Sequence, residues 1–302
     1  MTKAHHLDAA SPADVADVAG VADGAGRAAG VPAGHRLFAR YAHAPNARGF
    51  CGPELGAALQ RLAAGHTVSG LDVPAAARRF SGAWPYQALL AEHAGRVGHG
   101  GHVGGCGGSG GSGGGALDPL EERVVRAYWT GNDLTELVDA RAYGTELLAR
   151  FGAQAGHYWQ HLTPELLPEV TPTHAFHVFG VYPWSRLLGR GAPEPVGVLD
   201  DCRIRVGRVL DVGGDELLVE IDRLVDESPG LRLSTPRPER VIWRTQDGPF
   251  IDAATLRPGA CVAVHWNFAC DELTAAEAAT CQRLTVRQVE HTDSRLRRAA
   301  AD

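Results

Sequence analysis

One cysteine and one histidine, each within a distinctive flanking sequence, lie in the last third of this 302-residue chain. Cys202 opens the run Cys-Arg-Ile-Arg-Val-Gly-Arg-Val, and His265 ends the run Pro-Gly-Ala-Cys-Val-Ala-Val-His. A small barrel that pairs its first and last strands would bring the thiol and the imidazole together. Thiolate and neutral imidazole are ligands that suit iron. We therefore predict that Cys202 and His265 bind iron at an accessible edge of a compact β-structure.

The number of ligands bears on what such a site would do. A structural zinc site takes four protein ligands, whereas a carrier that releases its metal needs only one or two. Cys261 and Cys270 lie close to the closing strand, and we expect Cys261 and Cys281 to act as small buried apolar residues. The simpler alternative for the pair is a buried cysteine and a strand-end histidine bonded to the backbone.

A second group of histidines lies earlier in the chain. His174 and His177 form a His-x-x-His pair among aromatic residues, and His157 and His161 would share one face of a helix. These histidines predict a metal or cofactor pocket less strongly than they predict a packed aromatic wall, because neither pair has the glutamate of a zinc-protease helix.

The loop around Cys51 is a third feature. Cys51 stands between Phe50 and the Gly-Pro pair that follows, a composition typical of a turn. In an exposed turn the neighbouring Arg48 would favour the thiolate. The alternative is an inert cysteine in a turn that leads into a helix, and the sequence slightly favours it.

The motif around Cys202 and His265 resembles one small family. Its spacing is C-x4-G-x-V, then a strand ending Val-His-x-x-Phe-Ala, then the acidic, alanine-rich helix start at Asp271. The resemblance is to the HypC/HybG-type hydrogenase maturation chaperones and covers about a third of the chain. It implies an OB-like barrel with a C-terminal helix that carries an Fe(CN)2CO unit to the NiFe hydrogenase large subunit, with Cys202 and His265 on the iron. Here Cys202 is internal, and Val206 stands where that family has proline.

The N-terminal region carries a fainter resemblance, to uncharacterised actinobacterial proteins found beside hydrogenase genes. The segments that carry it surround Cys51, Tyr128 and the stretch from Phe176 to Trp184. This resemblance implies no mechanism, but it agrees with that of the C-terminal region.

The order of elements needed to position these residues follows from periodicity. We predict an α+β protein: a disordered leader at 1–34, a mainly helical domain at 35–192 and an OB-like β-barrel with a C-terminal helix at 196–297. A Gly-rich flexible insertion at 95–115 interrupts the helical domain. Strand periodicity begins at Val196.

Composition excludes several classes of protein. The formal net charge of −6 argues against nucleic-acid binding, which needs an excess of lysine and arginine. We find no run of about eighteen apolar residues that would cross a membrane and no secretion signal, so we expect a cytoplasmic protein with reduced thiols.

Two functional hypotheses follow. The first is an assembly factor for NiFe hydrogenase that carries or receives an iron-ligand complex and docks on the large subunit or another maturation protein. The second is a metal- or cofactor-dependent enzyme that uses Cys51, His174 and His177, with the barrel as a docking module. A non-catalytic interaction protein that has lost the cargo is a third possibility.

Overall fold

The computed structural model describes residues 30–100, 116–152, 161–227 and 230–301. Most of the predicted leader, most of the Gly-rich insertion and His157 lie outside these residues. Within the predicted insertion, residues 95–100 continue a helix. The part of the chain from Val31 onward forms one compact unit.

The described chain mixes helices with a sheet and ends in a long helix, as the sequence predicts. The α-helices are α1 (Ala33–Ala47), α2 (Gly56–Ala63), α3 (Val73–Ala77), α4 (Trp84–Gly100), α5 (Glu122–Trp129), α6 (Asp133–Leu137), α7 (Ala140–Phe151), α8 (His174–Phe176), α9 (Pro193–Cys202) and α10 (Ala275–Ala301). Short 3-10 segments cover Pro164–Glu169 and Pro183–Arg186, and a π-helical turn covers His177–Val181.

The second predicted helix, over about 134–151, is divided in two. Asn132 caps α6 in a reciprocal arrangement with Thr135, and the Asp139 carboxylate accepts the Ala142 N–H at 2.8 Å to start α7. Each cap satisfies backbone donors that an unbroken helix would not expose, so the chain turns at Val138 between them.

The strands are β1 (Arg205–Val212), β2 (Glu216–Ile221), β3 (Leu224–Asp226), β4 (Leu231–Leu233), β5 (Arg237–Ile242), β6 (Arg244–Thr245), β7 (Gly248–Pro249), β8 (Cys261–His265) and β9 (Phe268–Leu273). Five of them pair in the order β1-β2-β5-β9-β8, and β1 also pairs with β8, which closes a barrel. Alternate residues face its apolar interior, among them Leu217, Val219 and Val241. The first and last parts of the sheet therefore lie side by side, as the position of the metal pair requires.

The strand-rich region begins later than predicted. Residues 196–202 belong to α9, and the first strand starts at Arg205. Pro193 begins this helix, where a missing N–H costs nothing. The Asp200 carboxylate near its end accepts hydrogen bonds from Arg203 and from the Leu224 N–H. Cys202 is therefore the last residue of a helix rather than the first of a strand.

A two-residue turn joins β8 to β9. Trp266 and Asn267 both have positive φ, 49° and 68°, as a tight hairpin of this length requires. Tryptophan rarely adopts this conformation, because its side chain crowds the backbone. The turn holds His265 opposite Phe268 at the end of the ladder and turns the Trp266 ring back towards α1 and its following loop, onto Phe50.

Helix α10 joins the sheet to the helical elements. Thr274 and Glu277 form a capping box at its start. Further along, Gln288 donates to the Glu169 carbonyl at 2.7 Å and Arg295 pairs with the Glu169 carboxylate at 2.8 Å. None of the helices within the described ranges is both long and apolar enough to span a bilayer.

Candidate metal centre

Three elements meet at one cluster of possible ligands. His174 begins α8, Cys202 ends α9 and His265 ends β8. The ligand atoms of these three residues all lie within 4.8 Å of one another. The pair singled out in the sequence thus lies together, and His174, from the helical region, joins it.

The cluster is not at an accessible edge, and this expectation was wrong. His174 is 3% exposed, Cys202 7% and His265 1%. The barrel end that carries His265 is covered by α1, whose Tyr41 carbonyl contacts the His265 ring. The ligand atoms are therefore enclosed between the barrel and the helices.

The His265 ring is oriented for metal binding. Its Nδ1 lies 2.7 Å from the Tyr41 carbonyl oxygen, which can only accept, so Nδ1 carries the proton. The lone pair is then on Nε2, which is buried and has no hydrogen-bond partner among the described residues. Metal-binding histidines commonly donate their other ring N–H to a carbonyl in this way. A metal ion would supply the partner that Nε2 lacks.

A tyrosine relay sets the tautomer of His174. Tyr128 donates its phenolic proton to the Gly82 carbonyl, and its oxygen lies 3.0 Å from His174 Nδ1. With its own proton used in this way, the Tyr128 oxygen accepts from Nδ1–H. Nε2 then carries the lone pair, 3.8 Å from Cys202 Sγ and 3.0 Å from the Cys202 carbonyl. The opposite tautomer donates Nε2–H to that carbonyl, so the relay switches His174 between a ligand and a backbone donor.

Burial keeps both histidines in the neutral form that binds metals. It lowers the pKa of His265 to about 4. Burial also places the pKa of His174 well below its usual range, and the nearby His265 and His177 lower it further. Imidazoles are therefore available as ligands across the physiological pH range.

The thiol is protonated until a metal arrives. Burial raises the pKa of Cys202, and the nearby Cys51 adds to the effect. The Trp266 indole acts in the other direction, because its N–H favours the thiolate. Metal binding at Cys202 must therefore release a proton.

A cavity of about 20 Å³ lies against the cluster, enough for a single water-sized group. Its wall includes His174, Cys202 and His265 and also the other two predicted site residues, Cys51 and His177. The five predicted residues thus share one cavity rather than forming separate barrel and helical sites.

Cys51 and His177 differ from the cluster in their surroundings. Cys51 is half-buried, and desolvation raises its pKa to about 11, which agrees with an inert thiol rather than a thiolate favoured by Arg48. Burial lowers the pKa of His177 to about 3, and its Nδ1 lies 3.0 Å from the Tyr86 hydroxyl. His177 begins the π-helical turn that follows α8, a distortion often found at functional sites.

The remaining candidates lie elsewhere. His43 is buried with Nδ1 3.1 Å from the Gly56 carbonyl and its ring edge-on to Phe268, which is a structural role. Cys281 is buried as expected, whereas Cys261 is half-buried. His161 and Cys261 do not belong to any cluster of three or more possible ligands found in the described residues.

Sequence reasoning missed the aromatic residues that line and orient the site. The Trp129 ring lies 4.4 Å from His174 and 5.4 Å from His265, measured between centroids. Tyr128 orients His174, and Trp266 lies beside Cys202. The only available signal was the Tyr-Trp pair at the end of a predicted helix, which does not specify a contact so distant in sequence.

A buried charge network holds the cysteine in place. Arg203, directly after Cys202, is fully buried and pairs with Asp200 at 2.8 Å and Asp222 at 2.7 Å. Asp222 follows β2 and Asp200 lies in α9, so the network fastens the end of α9 to the barrel. The position of the thiol depends on this anchor.

One thiol and two neutral imidazoles form a mixed sulfur and nitrogen donor set, suited to Fe²⁺, Co²⁺ and Zn²⁺. Fold and site thus define an α/β protein with a buried Cys/His/His metal-ligand cluster. The chain belongs to a family of unknown function (DUF6390), whose model matches residues 30–98 and 111–299. Among curated proteins and solved structures, nothing matches the chain.

Proposed function

We propose that this protein is an assembly factor for NiFe hydrogenase that carries or receives an iron-ligand complex on Cys202, His265 and His174. The observation that carries the proposal is the meeting of the three ligand atoms within 4.8 Å. The C-x4-G-x-V and Val-His-x-x-Phe-Ala motifs connect that meeting with the HypC-type chaperones. In this proposal iron is cargo, not a permanent cofactor.

The chemistry of the donor set supports iron as the cargo. A thiolate with neutral imidazoles is a borderline-to-soft set, and low-valent iron that already carries strong-field ligands needs few protein ligands. The buried lone pair of His265 Nε2 has no other partner among the residues described, so a metal fits where the protein alone leaves a polar atom unsatisfied.

The barrel and the helices have different parts in this proposal. The five-stranded barrel would be an OB-like relative of the chaperone barrels, with its cargo residues next to the hairpin of β8 and β9. The helical elements would dock on the hydrogenase large subunit or on another maturation protein in the cytoplasm. Enclosure by these helices would shield the cargo from water and oxygen.

Infrared spectroscopy tests the proposal, because bound cyanide and carbon monoxide absorb where protein does not. Protein isolated from its native host should carry such bands together with iron. Cys202→Ala should lose both and remain folded. Cys261→Ala is the matched control, since it removes a half-buried thiol from the far end of β8. Bands that persist in Cys202→Ala would refute the role of Cys202.

The second candidate is a metal-dependent enzyme, and the position of His174 favours it. This histidine comes from the helical region, and its cavity also contains Cys51 and His177. An enzyme of this kind would retain stoichiometric metal in Cys202→Ala and lose it in His177→Ala. The assembly factor predicts the opposite order of loss.

A further inference from the structure

The cavity beside the metal cluster opens on one side. Most residues of its wall are buried, including Phe80, Gly82 and Tyr182. Phe50 and Cys51 are the half-buried members, and they lie in the loop between α1 and α2. Anything that reaches the inner cluster from solvent therefore passes this loop.

Cys51 and His177 face each other across the space beside Gly82. A methyl group added at Gly82 would lie 3.0 Å from His177 Nε2 and 3.5 Å from Cys51 Sγ. The backbone of Gly82 lies outside the left-handed region, unlike that of Gly52, with φ of 76°. Glycine at position 82 thus keeps open the space between a sulfur and a ring nitrogen.

The loop that carries Cys51 is built to hold the thiol at this position. Asn46 donates to the carbonyls of Cys51, at 2.7 Å, and Pro53, and its side-chain oxygen accepts from the Leu55 N–H at 3.0 Å. Phe50 packs on Trp266, with ring centroids 4.5 Å apart. The loop is therefore tied both to α1 and to the hairpin that carries His265.

From this arrangement we propose that Cys51 and His177 are an outer pair of metal ligands at the mouth of the cavity. They bind an incoming thiol- and imidazole-seeking divalent metal before it moves to His174, Cys202 and His265. Binding at Cys51 displaces its proton to solvent, and the proton returns when the metal moves inward and Cys202 loses its own. No electron transfer is needed. This inference rests on the proposed inner cluster.

Stopped-flow absorbance with Co²⁺ alone as the probe tests the outer pair, because cobalt bound to thiolate absorbs in the near ultraviolet. The variants are Cys51→Ala, Gly82→Ala and His177→Asn in the full chain. Each should slow uptake by about tenfold or more, since capture at the mouth makes the next step intramolecular. The loss in rate should exceed any loss in the final amount bound. Cys261→Ala should match the wild type in both.

Two results would overturn the proposal. Uptake at the wild-type rate in all three variants would show that the mouth has no ligands. A final amount reduced in Cys51→Ala as severely as in Cys202→Ala would make Cys51 part of the inner cluster. If the wild type binds no Co²⁺ at all, the inner cluster fails as well, so failure of the outer pair alone remains distinguishable.

Discussion

Individual protonation states determine how the cluster can bind a metal. His174 and His265 are neutral at physiological pH because burial lowers their pKa values, that of His265 to about 4. Cys202 holds its proton because burial raises its pKa. A metal therefore displaces a single proton, and that proton comes from sulfur.

We predict that metal affinity rises about tenfold per pH unit between roughly pH 6 and pH 8, because one proton is released per metal bound. Protonated histidines would add to this dependence, but both are already neutral in that range. Competition titrations with a chromophoric chelator measure the slope. Cys202→Ala should bind weakly with almost no dependence on pH. A slope of two or three in the wild type would contradict these protonation states.

Among the secondary-structure elements, the turn between β8 and β9 and the end of α9 have the most influence on the site. The turn sets the height of His265 and places the Trp266 indole beside the Cys202 thiol. The end of α9 is fastened by Arg203 between Asp200 and Asp222. Each element can be altered without removing a ligand.

Replacing Trp266 with phenylalanine should weaken metal binding by roughly tenfold, as loss of an outer hydrogen bond to a metal ligand commonly does. The ring packing on Phe50 is kept, so the free energy of unfolding of the metal-free protein should change little. Isothermal titration and chemical denaturation separate the two effects. Unchanged affinity would show that the indole N–H does not act on Cys202.

Replacing Arg203 with alanine should lower the free energy of unfolding by about 3 to 5 kcal/mol, because Asp200 and Asp222 would be left buried without their partner. Urea denaturation of the metal-free protein measures the loss. Arg232→Ala is the control: Arg232 pairs with Glu227 at the surface, so its removal should leave stability unchanged. Equal effects in the two variants would show that the buried network does not anchor α9.

Considered as a whole, the molecule depends on buried histidines that join the helices to the barrel. An unfolded histidine has a pKa near 6.5, whereas His174, His177 and His265 have lower values in the folded state because of burial. Below about pH 6 the unfolded chain therefore binds protons that the folded chain does not. Asp271 acts in the opposite direction, because desolvation raises its pKa to about 6.

We predict that the free energy of unfolding falls by about 3 kcal/mol per pH unit between roughly pH 6 and pH 4.5, from three histidines less one carboxyl. The contribution of the histidines is complete above pH 6.5 or so and is lost as the pH decreases through that window. Denaturation midpoints across the range measure it. His177→Phe should reduce the slope by about a third to a half. A flat profile would contradict neutral buried histidines.

The sequence predicted those parts of the fold that local periodicity determines. Cys261–His265 reads as a strand and forms β8, because its residues alternate between the two faces of the sheet. The helix predicted from Thr274 is α10, which starts at the capping box of Thr274. Where tertiary contacts decide, the prediction failed: Pro-Val-Gly-Val before Cys202 fits a strand, but the contacts of Asp200 with Arg203 and Leu224 favour α9.

Half of the candidate site was predictable for the same reason. Cys202 and His265 flank strands that a small barrel must pair, so their proximity follows from topology. His174 lies 28 residues before Cys202, and no local pattern specifies that it should turn towards the barrel. Its position depends on α5, the π-helical turn and the relay through Tyr128, which are features of packing and not of periodicity.

X-ray absorption spectroscopy at the metal edge of the iron- or cobalt-loaded protein tests the metal cluster most directly. The account predicts one metal per chain with one sulfur and two imidazole nitrogens from the protein, at about 2.3 Å and 2.0 to 2.1 Å if the metal-ligand distances resemble those of zinc. Cys202→Ala should lose the sulfur, and His174→Gln should lose one nitrogen. A wild-type spectrum without sulfur, or one unchanged in Cys202→Ala, would contradict the account.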